Sequence, residues 1–291
     1  MEIIGKVIGV NTSDNLLNIT VVNEKDEQFC IKTSDKDKTF LTGCVYSFIV
    51  DPQQKERISY RLIEAHFIET IEKEDATLRN FYKGAPYDLT TCKEKINSYI
   101  SKIENPTIYA ITEKLVEDHK DAYFVYPAAT RMHHSYVGGL AYHTIGMLEL
   151  SDSFLKNSPY LKKDYLYAGI ILHDIGKIKE LSGMQNTEYT LDGQLLGHLV
   201  MGALEIERAA IALEVADAKE VKMLEHMLIS HHGQPQFGAA KRPITPEAIA
   251  LWYIDTIDSK FRVLGEELEK TPQDSFTETI GVLEKIKIYK D

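Results

Sequence analysis

Near residue 70 the chain changes its hydrophobic period, and this constrains its architecture more than any other feature. Before that point, Ile3 to Val10, Leu16 to Val22, Gln28 to Lys32, Val45 to Val50 and Ile58 to Phe67 are short runs rich in β-branched and aromatic residues. Turn-prone stretches such as Asn11-Thr12-Ser13-Asp14-Asn15 and Asp51-Pro52 separate them, which is strand punctuation. Five short strands in so few residues predict a small barrel, most economically OB-like, with an SH3-like barrel or a capping sheet as the alternatives. From about residue 75, apolar residues recur at i, i+3 and i+4. Helices are expected over 91–103, 107–119, 140–155, 163–178, 195–213, 219–230 and 246–268. Pro106-Thr107 opens one of them, and Thr245-Pro246-Glu247 opens the last with a cap followed by proline. The expected architecture is therefore multi-domain α and β: an OB-like barrel over 1–70 and an all-α bundle over 71–291.

Charge narrows the partners. Lys plus Arg is 33 and Asp plus Glu is 44, a net charge of −11. This count speaks against a protein that coats nucleic acid through its overall charge, so any polyanion must be met by a local patch or a metal. The three cysteines, Cys30, Cys44 and Cys92, include no CxxC pair, which fits a reduced, cytoplasmic setting. No apolar run reaches the roughly 20 residues of a membrane span, and the start lacks the layout of a signal peptide. A soluble chain with no membrane partner is expected.

Eight of the ten histidines lie between 133 and 232. His173-Asp174 ends the almost wholly apolar stretch Tyr165-Leu166-Tyr167-Ala168-Gly169-Ile170-Ile171-Leu172. An imidazole and a carboxylate placed there without partners would cost several kcal/mol. Five more candidates are spaced at about one helix plus a turn: His143 before this pair, then His198, His231-His232 and Asp255 after it. Imidazole and carboxylate donors suit Mn, Fe, Co or Zn, and the absence of cysteine argues against a structural zinc site. The set exceeds the needs of one ion. Asp174, with histidines on both sides, can bridge two ions in the arrangement used for attack on phosphoesters. Two divalent metal ions are expected, with Mn, Co, Fe and Zn all open at this point. Lys177 follows His173 by four residues and suits a substrate-phosphate or leaving-group role, against a plain helix-end lysine. His133-His134 and Arg131 are each open between a phosphate contact and plain surface. His66, His119 and His226 read as ordinary surface or core histidines.

The pattern His143 … His173-Asp174 … Asp255 resembles the HD superfamily of metal-dependent phosphohydrolases, and His198 with His231-His232 resembles its two-metal branch. Tyr126-Pro127-Ala128-Ala129-Thr130, Gly139-Leu140-Ala141-Tyr142-His143, Ile171-Leu172-His173-Asp174-Ile175-Gly176-Lys177, Glu180-Leu181-Ser182-Gly183, Leu195-Leu196-Gly197-His198, Ser230-His231-His232-Gly233 and Tyr253-Ile254-Asp255 are similar to the YhaM family of bacterial 3′-5′ exoribonucleases. The resemblance implies an OB-fold before an HD domain, and Mn- or Co-dependent removal of nucleotides from the 3′ end of single-stranded RNA, with ssDNA as a further substrate, by metal-activated water. It implies catalytic roles for Asp174, Lys177 and His134. His143, His173, Asp174, His198, His231, His232 and Asp255 would hold metal, and Arg131, His133, Lys241 and Arg242 would contact substrate. Phe237, Trp252, Phe29, Phe48 and Tyr60 are candidates for stacking on bases. A homo-oligomer built on an apolar helix face stays open. Two other functions compete: a phosphohydrolase of small nucleotides, favoured by the acidic charge, and a non-catalytic nucleic-acid-binding regulator. The appended barrel weighs against the first, and the intact ligand set against the second.

Overall fold

The computed structural model of the chain describes residues 1–13, 15–56, 59–129 and 136–291. Strands β1 (Glu2–Ser13), β2 (Leu16–Val22), β3 (Gln28–Thr33), β4 (Val45–Glu56) and β5 (Ser59–Phe67) close into a barrel in the order β1-β2-β3-β5-β4. All pairings are antiparallel except β3 with β5, where Cys30 faces Ser59 and Lys32 faces Arg61. This closure is that of an OB-like barrel. Alternate residues point inward, so Val7, Ile19, Val21, Ile31, Phe48 and Val50 are fully buried, as the strand period of two requires. Phe48 and Tyr60 belong to this core. They are not exposed stacking surfaces, because the same alternation that makes a strand aromatic-rich turns those rings inward. Phe29 is half-buried with its ring 6.1 Å from that of Tyr60.

The helical part contains α1 (Asp75–Arg79), α2 (Leu89–Ile100), α3 (Pro106–Asp118), α4 (Lys120–Tyr123), α5 (Gly139–Asn157), α6 (Lys163–Leu172), α7 (Lys177–Glu180), α8 (Leu191–Leu195), α9 (Gly197–Ala212), α10 (Lys219–Ser230) and α11 (Pro246–Lys270). Asn105 caps α3, its side-chain oxygen accepting from the Thr107 and Ile108 amides at 3.0 Å. Thr245 caps α11 in the same way through the Ala248 amide. Helix α6 is central: every residue from Tyr165 to Leu172 is buried, packed among α3, α5, α10 and α11. Each fully buried Ile or Leu of this helix contributes about 1.5–3 kcal/mol relative to exposure. Its uninterrupted apolarity therefore follows from having no solvent face.

Two expected helices are broken. The run 163–178 splits into α6 and α7, with tight turns over His173-Asp174-Ile175-Gly176. The run 195–213 begins only at Gly197, whose φ of +74° is a conformation that glycine adopts without steric cost. The apolar period continues across both breaks, which is why it hides them. At the C-terminal end, two-residue strands β6 (Ser275–Phe276) and β7 (Tyr289–Lys290) pair, and Lys290 Nζ donates to the Leu268 and Thr271 carbonyls at the end of α11. The helical part thus carries a small β element that the period did not announce.

Barrel and helices share contacts. Val45, Ile68, Leu78, Val125 and Val137 form one buried cluster across them. Gln185 reaches from the segment after α7 to the barrel: its Oε1 accepts from the Val45 amide at 2.6 Å, and its Nε2 donates to the Ile68 carbonyl. Among the described residues no helix is long and apolar enough to cross a membrane.

Candidate metal centre

Helices α6 and α10 end in the same device. The last carbonyls of a helix lack an intrahelical donor. In α6 the Ile170 carbonyl accepts from His173 Nδ1 at 2.7 Å, and in α10 the Leu228 carbonyl accepts from His231 Nδ1 at 2.7 Å. Fully buried Tyr123 donates to the next α6 carbonyl, Ile171, at 2.7 Å. Each histidine is thereby locked at its helix end with Nε2 pointing away. The other three imidazoles meet acceptors too: His143 Nδ1 lies 2.7 Å from Asp258 Oδ2, His198 Nδ1 lies 3.0 Å from Glu180 Oε1, and His232 Nδ1 lies 2.8 Å from the Phe237 carbonyl. A carbonyl or carboxylate cannot donate, so all five rings carry a proton on Nδ1. Their Nε2 atoms face one another, with ring centroids running His143, His173, His231, His232 at 5.2, 5.1 and 4.5 Å, and His198 at 5.1 Å from His232.

Two groups of donor atoms emerge, each within 4.8 Å: His143, His173 and Asp255; and His198, His231 and His232. Asp174 lies between them. Its Oδ2 is 3.2 Å from His173 Nε2, and its Oδ1 is 3.4 Å from His198 Nε2 and 3.8 Å from His231 Nε2. His143 Nε2 is 3.2 Å from Asp255 Oδ1. Ligands bound at about 2.0–2.1 Å from one ion stand roughly 3.0–3.4 Å apart when adjacent, so these separations fit shared cations. Orphaned atoms say the same. His173 Nε2, Asp174 Oδ1 and His198 Nε2 are buried without a hydrogen bond, a cost of about 1–3 kcal/mol each that a bound ion would remove. The seven residues expected from the sequence as metal ligands are therefore brought together. The donor set of imidazole and carboxylate fits two divalent ions.

The electrostatics are set by these neighbours. Burial would lower His143, but Asp255 and Asp258 outweigh it and raise its pKa to about 10. Burial holds His231 well below the usual histidine range, and His232 is lowered for the same reason. Burial opposes the charge of Asp174, yet His173 and Lys177 keep its pKa well below the ordinary carboxylate range. Lys177 Nζ stands 2.7 Å from Asp174 Oδ2, and that carboxylate raises the lysine against the effect of burial. Lys177 is therefore a charged group fixed at the wall of the site.

Asp174, Lys177 and Asp255 line a cavity of about 340 Å³ together with His143, His198 and the histidine pair. Lys241 and Arg242 are exposed in the loop before α11 and do not line it. Arg131, His133 and His134 lie outside the described residues. The three histidines read as ordinary are placed apart from the centre: His66 is exposed beside Glu64, His119 Nε2 lies 2.9 Å from Glu205, and His226 Nε2 accepts from the Ile244 amide at 3.1 Å. Sequence reasoning missed Glu180 and Asp258, the buried carboxylates that orient His198 and His143. Such partners fix tautomer and ring direction and raise ligand basicity. Asp258 had a signal, one helical turn beyond Asp255 on the same face. Glu180 had none beyond its place in a conspicuous motif.

A helical bundle that presents a His-Asp pair at the end of its central helix, with further histidines and an aspartate from neighbouring helices, defines the HD-domain class. The HD domain family matches residues 140–260, which includes all seven candidate ligands. The chain is 41% identical over 219 residues to the 3′-5′ exoribonuclease YhaM of Bacillus subtilis (strain 168), covering 75% of this chain and 69% of that protein. The 3′-5′ exoribonuclease YhaM of Bacillus licheniformis matches with the same identity and coverage. This chain belongs to the YhaM family. No solved structure matches it significantly.

Proposed function

We propose that this chain is a metal-dependent 3′-5′ exoribonuclease that hydrolyses phosphodiester bonds of single-stranded RNA. The observation that carries the reading is the set of five imidazoles, each held at Nδ1 by an acceptor so that Nε2 is offered to a common centre around Asp174. Family membership supplies the reaction and its polarity. Two divalent cations held there would supply the Lewis acidity and positive charge that phosphodiester hydrolysis needs. His143, His173, Asp174 and Asp255 would hold one of them. Asp174, His198, His231 and His232 would hold the other.

The chain's own groups do the rest. Asp174 stays ionised and is shared between the two positions. Lys177, held by Asp174 and facing the cavity, meets the scissile phosphate or the departing 3′ oxygen with a fixed positive charge. Glu180 and Asp258 keep two ligand rings aligned. Manganese is taken as the first metal on the strength of the family resemblance, and donors that are imidazole and carboxylate without thiolate are compatible with it as with Co, Fe or Zn. The division is a barrel over 1–70 that binds nucleic acid and a phosphohydrolase domain over 71–291. The three unpaired cysteines support a cytoplasmic location.

The test uses purified full chain, Mn²⁺ and a 5′-labelled oligoribonucleotide, with and without chelator. A ladder shortening from the 3′ end that stops on chelation is expected. An intact oligomer alongside hydrolysed mononucleotides would overturn the reading.

A further inference from the structure

Among the described residues, one large aromatic side chain at the candidate site makes no hydrogen bond or ring contact. Tyr189 lines the same cavity as Asp174, Lys177 and the histidines, yet half of its surface, 51%, is exposed. Several tyrosines in the helical part are spent on structure: Tyr123 bonds Ile171, while Tyr99 and Tyr167 both bond Asp152; exposed Tyr160 does not line the cavity. Of the aromatics expected from sequence to stack on bases, Phe237 is exposed beside the histidine pair but does not line this cavity, and Phe29 is in the barrel. Phe48 and Tyr60 are barrel core, and the Trp252 ring stacks on Tyr253 at 4.7 Å.

The ring is also held in place from behind. Leu181 and Tyr189 form an antiparallel bridge. The Ser182 amide donates to the Glu188 carbonyl at 3.0 Å, and the Thr190 amide donates to the Glu180 carbonyl at 2.9 Å. Glu180 is the residue whose carboxylate holds His198. At the other end of this hairpin, Gln185 is anchored in the barrel and the Met184 amide bonds Thr70. The hairpin backbone that carries Tyr189 is thus bonded to the main chain of the residue whose carboxylate aligns a ligand ring, which fixes where the side chain starts relative to the reacting centre and limits the entropy lost when something stacks on it. The same cavity is lined by Ala128 and Ala129, whose side chains are small.

Resting on the exoribonuclease reading, we infer that Tyr189 is the platform on which the 3′-terminal base of the strand stacks. A cavity of about 340 Å³ is at the small end for ligand sites and takes one nucleotide, with its phosphate at Lys177 and its base against the ring. The contact is through the π-face, so it reads the presence of a base and not its identity. Every nucleotide is accepted, and a sugar without a base is disfavoured.

The experiment is a cycle between enzyme and substrate. Wild type, Tyr189→Phe, Tyr189→Trp and Tyr189→Ala are compared, in Mn²⁺, on one oligoribonucleotide whose 3′-terminal residue is normal or abasic. One stacked base corresponds to about 5- to 150-fold in binding. Wild type should show a KM penalty in that range for the abasic end, and Tyr189→Ala a similar rise in KM on the normal end. Tyr189→Ala should then be indifferent to base removal, whereas Phe and Trp keep the wild-type discrimination. An equal abasic penalty in wild type and Tyr189→Ala would overturn the proposal, as would an unchanged KM in Tyr189→Ala. Calorimetry of adenosine 5′-monophosphate against ribose 5-phosphate on the Mn²⁺-loaded proteins reads the same stacking without turnover. If wild type leaves oligomers intact but still prefers the nucleotide over the sugar phosphate in a Tyr189-dependent way, the exoribonuclease reading fails while the platform stands. If that preference survives Tyr189→Ala, the platform fails.

Discussion

Replacing Gly176 by alanine tests whether the candidate metal centre depends on the close approach of two backbones. Gly176 follows Asp174 by two residues, and its φ of −60° and ψ of −22° suit any residue, so alanine brings no backbone strain. The obstacle is steric. A Cβ there would stand 2.2 Å from the His198 carbonyl oxygen and 2.9 Å from the Gly202 amide nitrogen. Ordinary contact begins at 3.4 Å, so α9 and the turn before α7 must part by about 1.2 Å. Overpacking of this kind costs about 1–3 kcal/mol, a fall in melting temperature of roughly 2–10 °C for a chain of this size. The larger consequence is chemical, because the displaced backbone carries His198. A misplacement of about 1 Å can cost on the order of 100-fold in rate.

The matched control is Gly202→Ala, where the one tight contact of the new methyl is the movable end of Leu228, at 3.0 Å, and the Gly176 amide nitrogen and the Ile175 methyl stand at an ordinary 3.7 and 3.8 Å. It also gains about 1 kcal/mol of helix propensity. Elemental analysis after Mn²⁺ loading, thermal melting and the oligoribonucleotide assay should therefore separate the two variants. Gly176→Ala should fall from two ions toward one and lose most of its turnover, with Gly202→Ala close to wild type. Two tightly held ions, wild-type kcat and an unshifted melting temperature in Gly176→Ala would refute the reasoning.

Asp174→Ala should abolish turnover and lower the stoichiometry of both ions, since the residue faces both donor groups; retention of either ion at wild-type affinity counts against a shared ligand. His143 has its pKa raised to about 10 by Asp255 and Asp258, so below that pH the ion-free ring is charged and must lose a proton when an ion binds. Loading in weakly buffered solution between pH 7 and 9 should release at least one proton, and apparent affinity should rise about tenfold per pH unit through this proton; proton-neutral loading would exclude it. Asp258→Asn weakens that pull, lowers the His143 pKa and should reduce the release. Gln185→Ala leaves the Val45 amide and the Ile68 carbonyl buried without their partner, which should cost about 1–3 kcal/mol in a denaturant titration; no change in midpoint would mean that the barrel does not rely on this anchor.

Local chemistry made much of the chain legible before any coordinates. Strands 16–22 and 28–32 and helices 219–230 and 246–268 were readable because side-chain period and capping residues act within a few positions. The seven candidate ligands were readable because polar groups at the end of an apolar helix demand partners, and because His143, His198, the histidine pair and Asp255 recur at one-helix intervals. Tertiary structure alone decided the rest. The acceptor that aligns His143 is 115 residues away at Asp258, and the anchor between Gln185 and Val45 spans 140 residues. The parallel pairing of β3 with β5 that closes the barrel, and the 2.2 Å approach that excludes a side chain at Gly176, likewise depend on segments meeting in space. Periodicity reports which face of an element is buried; it carries no record of which distant segment covers that face. Residue types and spacing therefore determined that this protein gathers metal-binding donors in a helical bundle behind a barrel, while the fold decided which nitrogen of each histidine faces the centre and which ring faces the open cavity.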